Sequence, residues 1–388
     1  MVRRFSLCLG GLFLFWGPAA ASAAQEKPDF ALCQKQAARI VSSLDDYYLA
    51  SQVIMTGLDG KIFLTEPMAA LLRDHPPGGI MLFRYNLDAE KKETRSFLAD
   101  CASLVAGALP SGIVPFLAVD HEGGLVHRFG PGVEKLPAAA SFWELAQKKG
   151  REYALGEVEG GARRSGREIR DLGITMNFAP VAEILTGENR LFLESRSYGS
   201  DAAFVEAAAA AFIRGMDEAG VACVVKHFPG NSGADPHGGQ TVLGADRETL
   251  DRMIRPFAGL IAGLNPPAFM VSHIMVPAWD EEWNASLSPG IIQGRLREGL
   301  GFTGIILGDD YAMGAIAASG LNAEDATVAA LNAGVDMVMT WPGKLRAAHS
   351  AILAALRDGR LKRERLQNAA ERIITQKIRY GLIKKTDE

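Results

Sequence analysis

The sequence predicts an α/β chain folded as a single (β/α)8 barrel, with helices of the C-terminal tail packed on its outside. Three observations predict it. Short apolar runs recur eight times, at residues 53–55, 80–83, 114–119, 174–178, 222–225, 269–272, 304–307 and 337–340. Their starts lie roughly 27 to 60 residues apart, the room that a strand, a loop and a helix need. Polar residues gather where those runs end, and in such barrels chemistry sits at the carboxyl ends of the strands. No Ser/Pro/Gly tract is long enough to link two separate domains.

Composition agrees. The chain has 388 residues, 48% apolar and 22% charged, so it can bury a sizeable core and is not disordered in bulk. A formal net charge of −4 argues against a nucleic-acid partner, which would call for a basic surplus. Four cysteines at positions 8, 33, 101 and 223 show no CxxC or Cys/His spacing, so a zinc site is not expected.

Arg3 and Arg4 precede an apolar stretch from Leu7 to Trp16, then a small-residue run from Pro18 to Ala24. This is the pattern of a signal peptide over residues 1–24, cut near Ala23 or Ala24, and its apolar core is too short to span a bilayer comfortably. The mature chain, 25–388, is therefore expected to be exported, periplasmic or extracellular, monomeric and without a membrane span. Cys8 lies inside the apolar core. Cys33 and Cys101 are the candidates for a disulfide in such a compartment, and at least one of the three mature cysteines stays free.

Continuous apolar runs suit strands buried on both faces, as in a parallel sheet. Arg84 and Asn86 follow the second run, Asp120 ends the third and Asn177 lies in the fourth. Lys226 and His227 end the fifth, His273 the sixth and Asp309-Asp310 the seventh. Between the runs, residues 202–219 and 323–333 are Ala-rich with helical spacing. Ser288-Pro289 reads as an N-cap followed by Pro at the first helical position. The tail, 346–380, reads as two helices broken near Gly359, apolar on one face and basic on the other.

Three segments carry chemistry. In Ala118-Val-Asp-His-Glu-Gly-Gly-Leu-Val-His-Arg128, Asp120 sits where a strand runs out and Gly123-Gly124 allows a tight turn. A carboxylate there suits paired hydroxyls and Arg128 suits an acid or hydroxyl group, unless the two form an ion pair that only ties the loop. In Val224-Val-Lys-His-Phe-Pro-Gly-Asn-Ser-Gly-Ala-Asp-Pro-His-Gly-Gly239, Lys226 and His227 close a buried strand, where polar side chains are costly. Asp235 two residues before His237 can orient the imidazole and leave its other nitrogen to move protons, on a loop whose glycines let it swing. In Gly301-Phe-Thr-Gly-Ile-Ile-Leu-Gly-Asp-Asp-Tyr-Ala-Met-Gly314, a carboxylate at Asp309 can attack an electrophilic carbon and Asp310 can cap the next helix, although either one taken alone reads equally well as a helix cap.

Taken together these segments resemble the glycoside hydrolase family 3 β-N-acetylhexosaminidases, the NagZ-like group. The resemblance spans about residues 50 to 345 and includes Gly78-Gly-Ile-Met-Leu-Phe-Arg-Tyr-Asn86, Leu172-Gly-Ile-Thr-Met-Asn-Phe-Ala-Pro180, Arg196-Ser-Tyr-Gly-Ser-Asp201, Ala285-Ser-Leu-Ser-Pro289 and Ala330-Leu-Asn-Ala-Gly-Val-Asp336. It implies that residues 25–388 form the N-terminal-type TIM-barrel catalytic domain of that family. It implies a retaining exo-hydrolase acting on terminal β-linked N-acetylglucosamine of peptidoglycan or chitin-like fragments, with no metal or other cofactor. Asp309 would be the nucleophile, His237 the general acid/base and Asp235 its orienting carboxylate. Asp120, Arg128, Arg196, Lys226 and His227 would hold the sugar.

The chain departs from the family pattern in several places. Asn231 replaces the second His of K-H-F-P-G-H-G, and Leu125 stands where Arg is usual. His121 and His127 replace Gln, Pro236 replaces Ser or Thr between Asp235 and His237, and Gly308 replaces Ser or Thr before Asp309. Other readings remain open at this point. They are a β-glucosidase of the same family (whose acid/base generally comes from a second domain, for which the chain ending at Glu388 leaves no room), a phosphorylase, and a non-catalytic sugar-binding envelope protein. A barrel metallohydrolase fits poorly, because no H-x-H pair stands at a strand end.

Overall fold

The eight apolar runs become eight strands covered on both faces. They are β1 (Ile54–Thr56), β2 (Gly79–Leu82), β3 (Phe116–Val119), β4 (Met176–Asn177), β5 (Ala222–Phe228), β6 (Ala268–Val271), β7 (Ile305–Asp310) and β8 (Met337–Thr340). All neighbours pair in parallel and the sheet closes in the order β1-β8-β7-β6-β5-β4-β3-β2. The computed structural model describes residues 29–130, 132–235 and 238–385. The expected signal peptide with Cys8, and also Pro236 and His237, lie outside the described residues.

Two strands run further than their apolar stretches. β5 continues to Phe228 and β7 to Asp310, because the backbone goes on pairing (Phe228 with Val271, Asp310 with Met339) after the side chains turn polar. Lys226, His227, Asp309 and Asp310 therefore stand on the last rungs of the barrel rather than on loops. Gly359 separates the helices Pro342–Arg357 and Arg363–Arg379 of the tail, as its sequence predicts. The helix Ala202–Glu218 is capped by Asp201, whose side chain accepts from the Phe204 amide at 2.9 Å. Ser288 Oγ likewise accepts from the Ile291 amide at 3.1 Å and starts the next helix.

The sequence does not announce a small second sheet of Thr241–Val242, Ile274–Val276 and Asp280–Asn284. It ties the end of the loop after β5 to the segment after β6 by parallel pairing of Thr241 with Ile274. Asp280–Asn284 is a charged stretch without alternation, so its strand exists only through this pairing.

Cys33 and Cys101 do not pair: both are buried and free, and Cys223 is buried too. Cys33 lies on the helix Phe30–Ser42, which packs along Arg363–Arg379, whereas Cys101 lies on Lys91–Ala108, which packs on Glu66–Asp74. Burial pushes the Cys101 thiol up to about 12, so it stays protonated. Among the described residues no helix is long and apolar enough to cross a membrane.

One tail residue breaks its own pattern. Lys377 is fully buried, not on the basic face. Its Nζ donates to Gln52 Oε1 at 2.8 Å and sits 5.6 Å from the centroid of the Phe116 ring. Gln52 precedes β1 and Phe116 opens β3, so Lys377 closes the amino-terminal end of the barrel, opposite the polar strand ends. Burial alone lowers its pKa to about 7.

Candidate active site

The site is built on the last rungs of β3, β5 and β7. After Asp120 the chain turns sharply: Gly123 has φ +102° and exchanges backbone bonds with Val126, and a Cβ there would lie 2.4 Å from the Pro137 carbonyl oxygen. Asn177 of β4 clamps the start of this turn, accepting from the His121 amide at 2.9 Å and donating to its carbonyl at 3.0 Å. The turn brings Glu122 back beside Asp120.

These two carboxylates meet two cations. Lys226 Nζ stands 2.6 Å from Asp120 Oδ1 and 2.7 Å from Glu122 Oε1, with its side chain 4% exposed. Arg196 grips Glu122 with both arms, Nε to Oε2 at 2.8 Å and Nη2 to Oε1 at 2.9 Å. Burial alone would raise the Glu122 pKa, but Lys226 and Arg196 hold it far below the usual carboxylate range. Burial would likewise lower Lys226, and Asp120 and Glu122 reverse this, so it stays an ammonium. Arg128 Nη2 is 3.8 Å from Asp120 Oδ2. Lys226, not Arg128, is thus the close partner of Asp120.

His227, next to Lys226 across a cis peptide bond, has a separate carboxylate. Its Nδ1 lies 2.6 Å from Glu183 Oε1, which leaves Nε2 free of that contact. Glu183 is buried and also takes the Asn231 amide at 2.6 Å and the Asn231 Nδ2 at 2.9 Å. The residue that departs from the family's second His therefore anchors the loop after β5 to the base that fixes His227.

Asp309 is half-buried on β7, and its Oδ1 accepts from the Asp310 amide at 2.8 Å. Burial would raise its pKa, but His273, His227, the Asp310 amide and Lys226 together bring it below the ordinary value. It is therefore an anion facing the same pocket as the Lys226–His227 pair. Asp310 has other work: it accepts from Trp341 Nε1 at 2.6 Å and from the Ala312 amide at 2.9 Å, while its carbonyl meets His273 Nε2 at 3.0 Å. Gly308 is explained by Tyr311, whose ring fills the space of a side chain there; a Cβ at 308 would lie 2.3 Å from Tyr311 Oη.

The structure thus brings Asp120, Arg128, Arg196, Lys226, His227 and Asp309 to one mouth. Asp235 lies on the exposed part of the loop after β5, and His237 is outside the described residues. Asn86, read as a mouth group, is instead buried and donates to the Leu58 and Gly60 carbonyls, and Arg84 is exposed. His121 is buried against Ser165 (2.7 Å) and His127, and burial takes its pKa down to about 3, so it is neutral packing. Leu125 is 70% exposed.

Two residues of the site carry no role in the sequence reading. Glu122 had a signal, a second carboxylate two residues beyond Asp120 in a glycine turn. Glu183 had a weaker one, an acid in an apolar stretch just after Pro180 at the end of β4.

Residues 52–376 match the Glycosyl hydrolase family 3 N terminal domain. A β-hexosaminidase of Methylococcus capsulatus is 34% identical over 306 residues, 77% of this chain and 83% of that one. The β-hexosaminidase LpqI of Mycobacterium tuberculosis is 31% identical over 317 residues, 79% of this chain and 77% of that protein. The solved structure of a family 3 β-N-acetylglucosaminidase from a Paenibacillus species superposes with a TM-score of 0.81 at 30% identity, covering 89% of this chain and 64% of that one.

Proposed function

The chain belongs to glycosyl hydrolase family 3 and is a glycoside hydrolase, and on that premise we propose that it is a retaining exo-β-N-acetylglucosaminidase that removes terminal β-linked N-acetylglucosamine. The observation that carries this reading is the position of Asp309 near the carboxyl end of β7, at the same end of the barrel as Lys226 and His227 on β5.

Glycosidic cleavage passes through an oxocarbenium-like state that a carboxylate on one face stabilises and then traps. An Asp309 oxygen bonds to the anomeric carbon as the bond from that carbon to the leaving oxygen breaks. His237 gives its proton to the leaving oxygen. Water then adds to the anomeric carbon and passes a proton back to His237, and the Asp309 ester is released. Asp235 orients His237. Asp120 and Lys226 hold hydroxyls of the sugar, His227 presents Nε2 to it, Arg128 stands at the rim, and Arg196 keeps Glu122 and so Lys226 in place. An imidazole suits the proton carrier because it adds no second negative charge beside Asp309.

Residues 1–24 read as a signal peptide, so the enzyme would meet its substrate outside the cytoplasm, as peptidoglycan or chitin-like fragments. The deciding experiment compares p-nitrophenyl β-N-acetylglucosaminide with the β-glucoside, each with and without phosphate. Preference for the N-acetylglucosaminide with free sugar as product is expected. Preference for the glucoside, release of sugar 1-phosphate, or binding without turnover overturns the reading.

A further inference from the structure

Three aromatic rings stand on the arc of the mouth formed by β8, β1 and β2. Phe83 follows β2, Tyr85 lies two residues on, and Trp341 follows β8. The Phe83 and Trp341 rings stack at 4.8 Å with an interplanar angle of 14°. Phe83 and Tyr85 lie nearly parallel, 5.9 Å apart and 4° tilted. The barrel places β8, β1 and β2 side by side, so the rings form one stacked shelf across neighbouring strand ends, with Phe83 paired to both of the others.

The shelf is held by its polar edges. Tyr85 Oη donates to the Leu58 carbonyl at 2.9 Å, Asn86 Oδ1 accepts from the Phe83 amide at 2.8 Å, and Trp341 Nε1 donates to Asp310 at 2.6 Å. Ring surface nevertheless stays open: Tyr85 is 46% exposed and Trp341 38%. Large apolar surface left to water beside a pocket marks a place where a ligand lies. Trp341 is bonded to the residue after Asp309, so the shelf is continuous with the reacting centre.

We propose that this shelf is the subsite for the sugar on the leaving side of the scissile bond, a pyranose laid with its C–H face on the rings. The proposal rests on Asp309 marking the reacting centre. The charge network at β3 and β5 satisfies hydroxyls of the sugar being cleaved, and β7 carries the nucleophile. The wall that remains, at β8 and β2, offers the outer surface of this ring stack, with Tyr85 and Trp341 exposed, and no free charge on the rings. An apolar, slightly positive C–H face of a pyranose complements such a surface.

The test compares N,N′-diacetylchitobiose, whose aglycone is a pyranose, with N-acetyl-β-glucosaminyl fluoride, which has no aglycone ring. Tyr85→Ala should raise KM for the disaccharide about tenfold and leave kcat/KM for the fluoride within about twofold. Equal losses on both substrates, or no loss on the disaccharide, overturn the shelf while leaving the catalytic reading intact. A wild-type protein that turns over neither substrate defeats the catalytic reading, and the shelf is then read by binding. Chitobiose should shift the tryptophan fluorescence of the wild type but not of Trp341→Phe. No shift, or the same shift in both, overturns the proposal.

Discussion

His227 Nδ1 lies 2.6 Å from Glu183 Oε1, so a buried carboxylate fixes the ring that borders Asp309. The same carboxylate takes both Asn231 donors, which couples the His227 ring to the loop that carries Asp235. Charge-assisted bonds of this kind contribute about 1.5–3 kcal/mol each. Glu183→Ala should therefore lower kcat/KM on an aryl N-acetylglucosaminide by about 10- to 100-fold. Active-site titration keeps the comparison per folded molecule. A variant that melts earlier but turns over normally would show that Glu183 only supports the fold.

Asp309→Ala should reduce turnover by about a thousandfold or more, as for other nucleophiles removed from a working site. Near-normal turnover ends the assignment. The depressed pKa also sets the acid limb of the wild-type profile. Asp309 loses its charge only as pH falls below the ordinary carboxylate value of about 4, so kcat/KM should hold down to there. An acid limb centred above about pH 5 contradicts an anion held by His273, His227 and Lys226.

For His237→Ala the expected signature is selective. Substrates with poor leaving groups need the proton and should slow by about 100-fold or more, whereas activated aryl glycosides should slow much less in the first step. Equal losses on both would remove His237 from the acid role. Added azide should relieve the second step, since an anion attacks the ester without a general base.

Lys377 makes a stability prediction. An unfolded lysine holds its proton up to about pH 10.4, but in the fold burial lowers this to about 7. Between those values the unfolded state binds more protons, so this residue makes stability rise with pH from about 7 to 10. Below 7 the buried ammonium is disfavoured to its full extent. Lys377→Met should raise the urea midpoint at pH 7 and gain less at pH 9.5. An equal gain at both values would mean the lysine is not titrating in the fold.

Much of this molecule is legible in its sequence, for reasons that differ by residue. Runs such as 116–119 and 337–340 are strands because a parallel strand is covered on both faces and must be apolar throughout. Asp120, Lys226, His227 and Asp309 are conspicuous because each interrupts such a run at its carboxyl end. Asn86 misled for the opposite reason: polar residues at a strand end are as easily buried in backbone bonds as turned to the mouth. Cys33 and Cys101 carry nothing in their spacing that says which helices will lie side by side.

The sequence by itself determined the eight strand–helix units and which strand ends are polar, because both follow from local periodicity and burial. Only the tertiary structure decided that Glu122 and Glu183 are partners of Lys226 and His227, that Phe83 and Trp341 share a shelf, and that Lys377 lies under the barrel. Closing the sheet sets β1 beside β8 and β3 within reach of β5, and charges or rings that are far apart along the chain meet only through that closure.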